Sequence, residues 1–338
     1  MKILVSSHRY SPDVGGIETV SGLLAAEWRR RGHEVRVVTQ TPARSAADES
    51  PFVHRRPTPA RLFALVRDCD VYWHSNISLQ TAWPLLFLRR PWFITAHTWL
   101  HGVDGRVGWR DRLKRIVHTR ANNLFPSECI AAHIGCPGVL VGNPYHNELF
   151  RRLPNIHRDR ELVFVGRLVG DKGADVLLRA LHHLPPGKRP SLTIVGQGPA
   201  EPALRTLAAE LGIADAVSYV GPLRGEALVA TLNAHRVLVI PSRWEEPFGI
   251  VSLEGLACGC RVIASASGGL PEAVGPAGTL FANGDAAALA HEIALALAAP
   301  PRAEDAPDVH AHLERFSAPR VAEHYLQLFQ AALNQTRK

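Results

Sequence analysis

Short apolar runs alternate along the chain with longer stretches in which apolar residues recur at helical spacing. The first run, Ile3-Leu4-Val5-Ser6, is followed by the turn residues Pro12-Asp13-Val14-Gly15-Gly16. Residues 17–31 then place their apolar positions on one helical face, and Gly32 closes the segment. Strand-like runs recur at 35–38, 71–73, 92–95, 123–125 and 139–141, with helix-compatible segments between most of them. This rhythm predicts a parallel sheet covered by helices. Gly142-Asn143-Pro144 and the polar stretch 151–160 read as a linker, beyond which the rhythm starts afresh. Strands are expected at 162–165, 192–195, 217–220, 237–240 and 261–264. Helices are expected at 174–184, 200–211 and 225–234, and an Ala-rich one at 286–299. Two doubly wound α/β halves satisfy the pattern. From Pro319 onward, Val321, Tyr325, Leu326, Phe329 and Leu333 form an amphipathic stripe that needs a surface to cover.

Composition narrows the class. At 338 residues the chain exceeds the roughly 250–300 at which one core stops growing, so two domains are expected, 1–150 and 151–317. Hydrophobic residues make up 46% and charged residues 20%, enough apolar material to exclude a disordered chain. No apolar stretch approaches the roughly 20 residues of a spanning helix. The first residues turn polar too soon for a signal segment, so a cytoplasmic location is expected. Five cysteines without a CxxC pair suit thiols in a reducing compartment better than a disulfide frame or a zinc site. The formal charge of +7 is uneven: residues 1–150 hold 19 Lys and Arg against 12 Asp and Glu, whereas residues 151–338 hold 19 against 19. That asymmetry points to an anionic partner for the first half, a nucleic acid or an acidic membrane surface. No nucleic-acid-binding motif accompanies it, so the nucleic acid is not expected.

The densest chemistry lies at 241–259. A strand ends at Ile240, a Pro/Gly turn follows, and a helix starts near Gly249, so Gly249, Ile250 and Val251 offer backbone N–H groups at a positive helix terminus. Glu246 precedes this helix and Glu254 lies two turns into it, about 12 Å away at 1.5 Å per residue. That excludes the close pair of a retaining glycosidase, separated by about 5 Å, and suits two acceptors gripping opposite ends of one elongated ligand. Each acid also has a plainer reading, Glu246 as a helix-capping carboxylate and Glu254 as a solvated helix residue. Arg167 and Lys172 stand at the C-terminal end of another strand among Gly166, Gly170 and Gly173. There they suit a diphosphate, or else form ordinary surface ion pairs. Gly15-Gly16 is a third possible anion seat without the spacing of a dinucleotide fold or a P-loop, and Gly268-Gly269 repeats the arrangement. His97 closes a strand at a loop edge; with His101 it lacks the acidic residues of a zinc helix, and no metal site is expected. No nucleophile elbow is present.

Together these residues resemble the retaining nucleotide-sugar glycosyltransferases of GT-B architecture, glycosyltransferase family 4. The likeness runs from the Gly15-Gly16 loop to the last helix. It is carried most specifically by the E-x7-E element Glu246-Pro-Phe-Gly-Ile-Val-Ser-Leu-Glu254 followed by Gly268-Gly269-x-x-Glu272. It implies two Rossmann-like domains facing across a cleft, the first an acceptor domain and the second a donor domain, with residues 318–338 crossing back to the first. It further implies a nucleoside diphosphate sugar, UDP- or GDP-linked, as donor. The diphosphate would lie on Arg167 and Lys172 beside Gly166, with Gly15 and Gly16 closing over it. Glu254 would hold the ribose, and Glu246 with the backbone of Phe248, Gly249, Ile250 and Val251 the sugar. The base would rest near Gly196 and Pro222, with His97 beside the transferred sugar. No cofactor or metal is implied; the acceptor would be a glycan or a lipid-linked molecule of cell-surface assembly. In related enzymes a basic amphipathic face such as 106–120, with Trp109, Arg110, Arg112, Lys114 and Arg115, rests on anionic membrane. Competing readings are a nucleotide-sugar epimerase of the same architecture and a non-catalytic nucleotide-sugar-binding relative.

Overall fold

The computed structural model describes residues 1–13, 15–100, 108–300 and 306–336; His101 and Arg106 lie outside them. The chain forms two compact units, Met1–Pro144 with Ser317–Lys338, and Tyr145–Phe316. The first is built from β1 (Lys2–Ser7), α1 (Gly16–Arg30), β2 (Glu34–Thr39), β3 (Val53–Arg55), α2 (Pro59–Asp68), β4 (Val71–Ser75), α3 (Leu79–Ala82), β5 (Trp92–Thr95), α4 (Trp109–His118), β6 (Asn122–Phe125), α5 (Glu128–Ile134) and β7 (Gly138–Leu140). Its strands lie in the order β3-β2-β1-β4-β5-β6-β7, every neighbouring pair parallel. A parallel sheet is covered on both faces, which is why β1 and β4 read as unbroken buried runs.

The second unit continues with β8 (Arg160–Val165), α6 (Ala174–His183), β9 (Leu192–Val195), α7 (Glu201–Glu210), β10 (Val217–Gly221), α8 (Gly225–Ala234), β11 (His235–Ile240) and α9 (Ile250–Ala257). After these come β12 (Arg261–Ser265), α10 (Leu270–Val274), β13 (Thr279–Phe281), α11 (Ala286–Ala298) and α12 (Pro307–Arg315). Its parallel order, β10-β9-β8-β11-β12-β13, repeats that of the first. The divide expected after residue 150 falls after Pro144 instead, because Tyr145 and Phe150 are buried in the second core with Phe248, Leu253 and Phe316. Nor is 151–160 a free tether. Arg158 donates to the carbonyls of Leu232 at 3.2 Å and Cys258 at 2.5 Å, and the Leu153 N–H bonds Asn233 Oδ1 at 2.8 Å. Strands β3 and β13, three residues each at sheet edges, are too short to show a period in sequence.

The last helix, α13 (Ala318–Thr336), belongs to the first unit and packs on α1. Trp28 is its anchor. The indole stands 5.1 Å from the Trp73 ring, 5.4 Å from Phe329 and 5.9 Å from Tyr325, and its N–H donates to the Ala322 carbonyl at 3.1 Å. The Tyr325 hydroxyl shares a 3.0 Å bond with Thr95 Oγ1, and Arg31 pairs with Glu323. The stripe read from sequence is thus the face that covers α1 and β4. Phe329→Ala, emptying an aromatic site in this cluster, is expected to cost about 3–5 kcal/mol. A urea titration of intact protein and variant measures it; a midpoint unchanged by the substitution would contradict the anchoring role.

Candidate nucleotide-sugar site

In the second unit β8 and β11 lie side by side, Leu162 opposite Val237 and Val163 opposite Leu238. From β8 the chain crosses toward β9, and from β11 toward β12, so the strand order reverses here. Loops at the carboxyl ends of such strands form the binding crevice of a doubly wound sheet. The two loops are tied by backbone contacts. The Asp171 carbonyl accepts the Arg243 N–H at 2.8 Å and the Trp244 N–H at 3.2 Å. Gly173, with φ +66°, approaches so closely that a Cβ there would run into the Pro241 carbonyl oxygen. Gly268, at φ +58°, meets the Glu246 backbone in the same way, its would-be Cβ 2.5 Å from the Glu246 carbonyl oxygen. The Gly269 N–H then donates to that carbonyl at 2.7 Å. The Gly268-Gly269 doublet therefore seats the backbone that carries Glu246, and the Gly269 N–H is spent there rather than on an anion.

This frame carries Lys172 and Glu246, with Arg167 earlier on the first loop and Glu254 on the helix after the second. Arg167, just past β8, is exposed, and its guanidinium has no partner among the described residues. Lys172 Nζ forms an ion pair with Glu246 Oε1, so of its two expected readings, diphosphate cation or ion pair, the pair is the one present here. Ser242 Oγ donates to the same oxygen at 2.8 Å, and Ser265 Oγ fixes the Ser242 carbonyl at 2.6 Å. Glu246 makes no side-chain cap on α9; Gly249, at φ +106°, is the cap residue. Ile250 and Val251 open that helix, so their N–H groups have no acceptor a turn earlier within it. The Phe248 side chain is buried edge-to-face on Phe316 at 5.2 Å, which leaves only its backbone for a ligand. At the neighbouring strand ends, the Gly166 N–H donates to Val195 O at 3.0 Å and the Gly196 N–H to Gly221 O at 2.8 Å, with Pro222 next in the chain.

Glu254 departs furthest from the solvated helix residue it could have been. Half-buried on α9, its carboxyl has no hydrogen-bond or ion-pair partner among the described residues, and burial pushes its pKa up to about 7.

The remaining expected residues belong to the first unit. His97, just beyond β5, is buried with neither ring nitrogen partnered among the described residues, and burial depresses its pKa to about 4, so the imidazole is neutral. Gly15 caps α1 in extended conformation, and the carboxylate of Glu18 folds back over it. The chain's own acid thus covers the expected anion seat, while Gly16 is open. Two features escaped the sequence reading. Ser242 holds Glu246, and a serine four residues before a glutamate carries no signal of that. Asn76, at φ +71° after β4, donates from its side chain to Thr98 Oγ1 at 2.9 Å; an asparagine directly after a strand was the available hint.

Paired units of this strand order, with acids and cations at the reversal point of the second, define a GT-B glycosyltransferase fold. Residues 146–308 match the family model for glycosyl transferases group 1, and residues 14–135 that for glycosyltransferase family 4. The D-inositol 3-phosphate glycosyltransferase of Frankia alni is 30% identical over 346 residues, covering 81% of this chain and 84% of its own. Its namesake from Acidothermus cellulolyticus is 40% identical over 250 residues, 68% of this chain and 55% of its own. The chain belongs to glycosyltransferase family 4. It spans 36–55% of three further-ranging relatives' lengths, the Acidothermus protein among them. Among solved structures, sucrose-phosphate synthase from Thermosynechococcus elongatus superposes with a TM-score of 0.82 at 23% identity over 99% of both chains. Anabaena HepE, solved with UDP-glucose, gives 0.79 at 20% identity, covering 98% of this chain and 100% of its own.

The raised pKa of Glu254 has a sign. The folded chain holds this proton more tightly than the unfolded chain, whose carboxyl titrates near 4.5, so stability contributed by the proton is complete below pH 4.5 and lost as pH rises to about 7. Glu254→Gln removes the burial of charge. It should be more stable than the parent by on the order of 2 kcal/mol at pH 8, with the gap closing at pH 4.5. Thermal melts at the two pH values test this; a variant no more stable at pH 8 would contradict the desolvated carboxylate.

Proposed function

We propose that this protein transfers a glycosyl group from a UDP- or GDP-sugar to a glycan or lipid-linked acceptor of cell-surface assembly, with retention and without a bound metal. One observation carries the reading. An arginine unpaired among the described residues, a Lys–Glu pair and a helix N-terminus stand on the tied loops after β8 and β11, with a desolvated glutamate in the second turn of the helix that starts there. Cleavage of the sugar–phosphate bond puts negative charge on the departing diphosphate. Arg167, Lys172 and the first N–H groups of α9 supply compensating positive charge, the part a divalent cation would otherwise play. Glu254 receives the ribose hydroxyls and Glu246 those of the sugar. With Glu246 on the sugar hydroxyls and paired to Lys172, retention on this reading proceeds by front-face attack, the departing phosphate accepting the acceptor's proton. The second unit is the donor domain, the first the acceptor domain, and the neutral imidazole of His97 serves the transferred sugar as a hydrogen-bonding group. Epimerisation would need an acid or base aimed at the ring carbon and leaves the hydroxyl-binding acids without a role. The relatives' names favour a phosphorylated polyol as one acceptor to include.

The test begins with thermal shift against UDP-, GDP- and ADP-sugars, followed by transfer assays with the stabilising donor. Ligand at a hundred times its dissociation constant stabilises by about 2.7 kcal/mol. Arg167→Ala should then lower kcat about a hundredfold, the cost of one leaving-group donor. Turnover within a factor of two of the parent would overturn the role, and epimerised donor appearing without acceptor would overturn transfer.

A cytoplasmic enzyme with a lipid-linked acceptor would work at the membrane face, and α4 suits that. Trp109, Leu113 and Ile116 are exposed at spacings of four and three, one apolar stripe on the helix, with Arg110 and Arg112 exposed beside it. Among the described residues no helix is long and apolar enough to cross a membrane, and the contact proposed here is a peripheral one. The protein should float with phosphatidylglycerol vesicles at low salt, and the double variant Trp109→Asp, Ile116→Asp should remain in solution. Equal flotation with phosphatidylcholine vesicles would contradict an electrostatic contact.

A further inference from the structure

Lys172 and Glu246 hold each other in an ion pair, yet the proposed function assigns them to different parts of the donor. The ammonium and the carboxylate are 24% and 15% exposed, so each is largely withdrawn from water and depends on its partner for compensation. Ser242 Oγ gives Glu246 Oε1 a second donor, but a neutral one. Among the described residues no other basic side chain pairs with Glu246.

From this arrangement we infer that the Lys172–Glu246 pair is a latch that discriminates the intact nucleoside diphosphate sugar from the bare nucleoside diphosphate. The inference rests on the donor reading given above. A diphosphate that draws Lys172 away leaves the Glu246 carboxylate with Ser242 alone, partly buried and close to a polyanion. An uncompensated charge in such a place is strongly unfavourable. The intact donor brings sugar hydroxyls, which donate to the same carboxylate as the lysine leaves it. Anion and sugar therefore bind cooperatively through one broken ion pair, a coupling free energy between two parts of a single ligand. The bare diphosphate, which is also the product, lacks the second half of the exchange. Its affinity is lowered by the competition between Glu246 and phosphate for Lys172, and it departs more readily after transfer.

The consequence runs against the usual effect of removing a binding residue. Glu246→Gln keeps the size of the side chain and abolishes its charge, so Lys172 is released to any diphosphate. Isothermal titration of UDP and GDP, with UDP-glucose and GDP-mannose as intact donors, reads the effect in the parent, in Glu246→Gln and in Glu246→Ala. The base that binds the parent is the one compared. Bare diphosphate should bind each variant at least fivefold more tightly than the parent, and the intact donor should lose its advantage over bare diphosphate. Two variants guard against a single misfolded one, and a melting curve on each confirms the folded state. If the parent binds nucleotide but neither variant gains affinity for bare diphosphate, the latch is overturned while the glycosyltransferase reading stands. If the parent binds neither diphosphates nor nucleotide sugars, the donor reading falls and takes the latch with it.

Discussion

The docking of the loop after β8 against the loop after β11 is the constraint on which the rest of the site depends. Lys172 and Glu246 are 74 residues apart in sequence, and closing a loop of that length is entropically unfavourable. The parallel pairing of β8 with β11 and the two N–H bonds to the Asp171 carbonyl meet that cost with backbone interactions. What remains for the ion pair is the rotamer freedom of two side chains. Gly173 and Gly268 are part of the same arrangement, since any side chain at either would push apart the backbones that bring acid and cation together. Site chemistry here follows from close backbone approach, and the charged residues ride on it.

Much of this was legible in the sequence because parallel sheets write themselves plainly. Strands buried on both faces give unbroken apolar runs, and the turn residues between runs mark the loops. The doubly wound pattern, the last helix and the position of the acids at strand ends followed from that. The divide between the units was placed too late because Tyr145 and Phe150 sit in a stretch rich in turn residues, and their burial depends on Phe316, far along the chain. Composition near a boundary reports solvation locally; membership of a core is decided by distant partners. The pairing of Lys172 was hidden for the same reason. Spacing showed that a cation and an acid stood at two strand ends, and only the register of β8 and β11 says that these ends are neighbours. The glycine doublet at Gly268 was visible as a doublet, but whether such glycines face an anion or another backbone is a question of packing.

His97 and Glu254 share a physical condition although they lie in different units. Each is a titratable group desolvated without a partner among the described residues, and each is driven toward its neutral form, the histidine to about 4 and the acid to about 7. Folded proteins seldom leave buried polar atoms unmet, because each lost hydrogen bond to water is unfavourable. His97 stands just beyond a parallel strand and Glu254 in the second turn of the helix that follows one, and on the proposed reading both face the donor, stability having yielded to binding there.

The two acids of the E-x7-E element, eight residues apart, therefore present opposite problems to a ligand. At Glu254 a hydroxyl donor relieves a group that nothing in the protein satisfies, so contact there adds to affinity and, near neutral pH, favours release of a proton. At Glu246 a hydroxyl must take the place of a lysine that already satisfies the carboxylate, so contact there adds little by itself. On the proposed reading the nucleoside end of the donor supplies affinity through a vacant acid, and the sugar end supplies discrimination through an occupied one. A site built the other way, with the paired acid on the ribose, would hold donor and product on equal terms, since both carry the ribose and both would have to break the same pair.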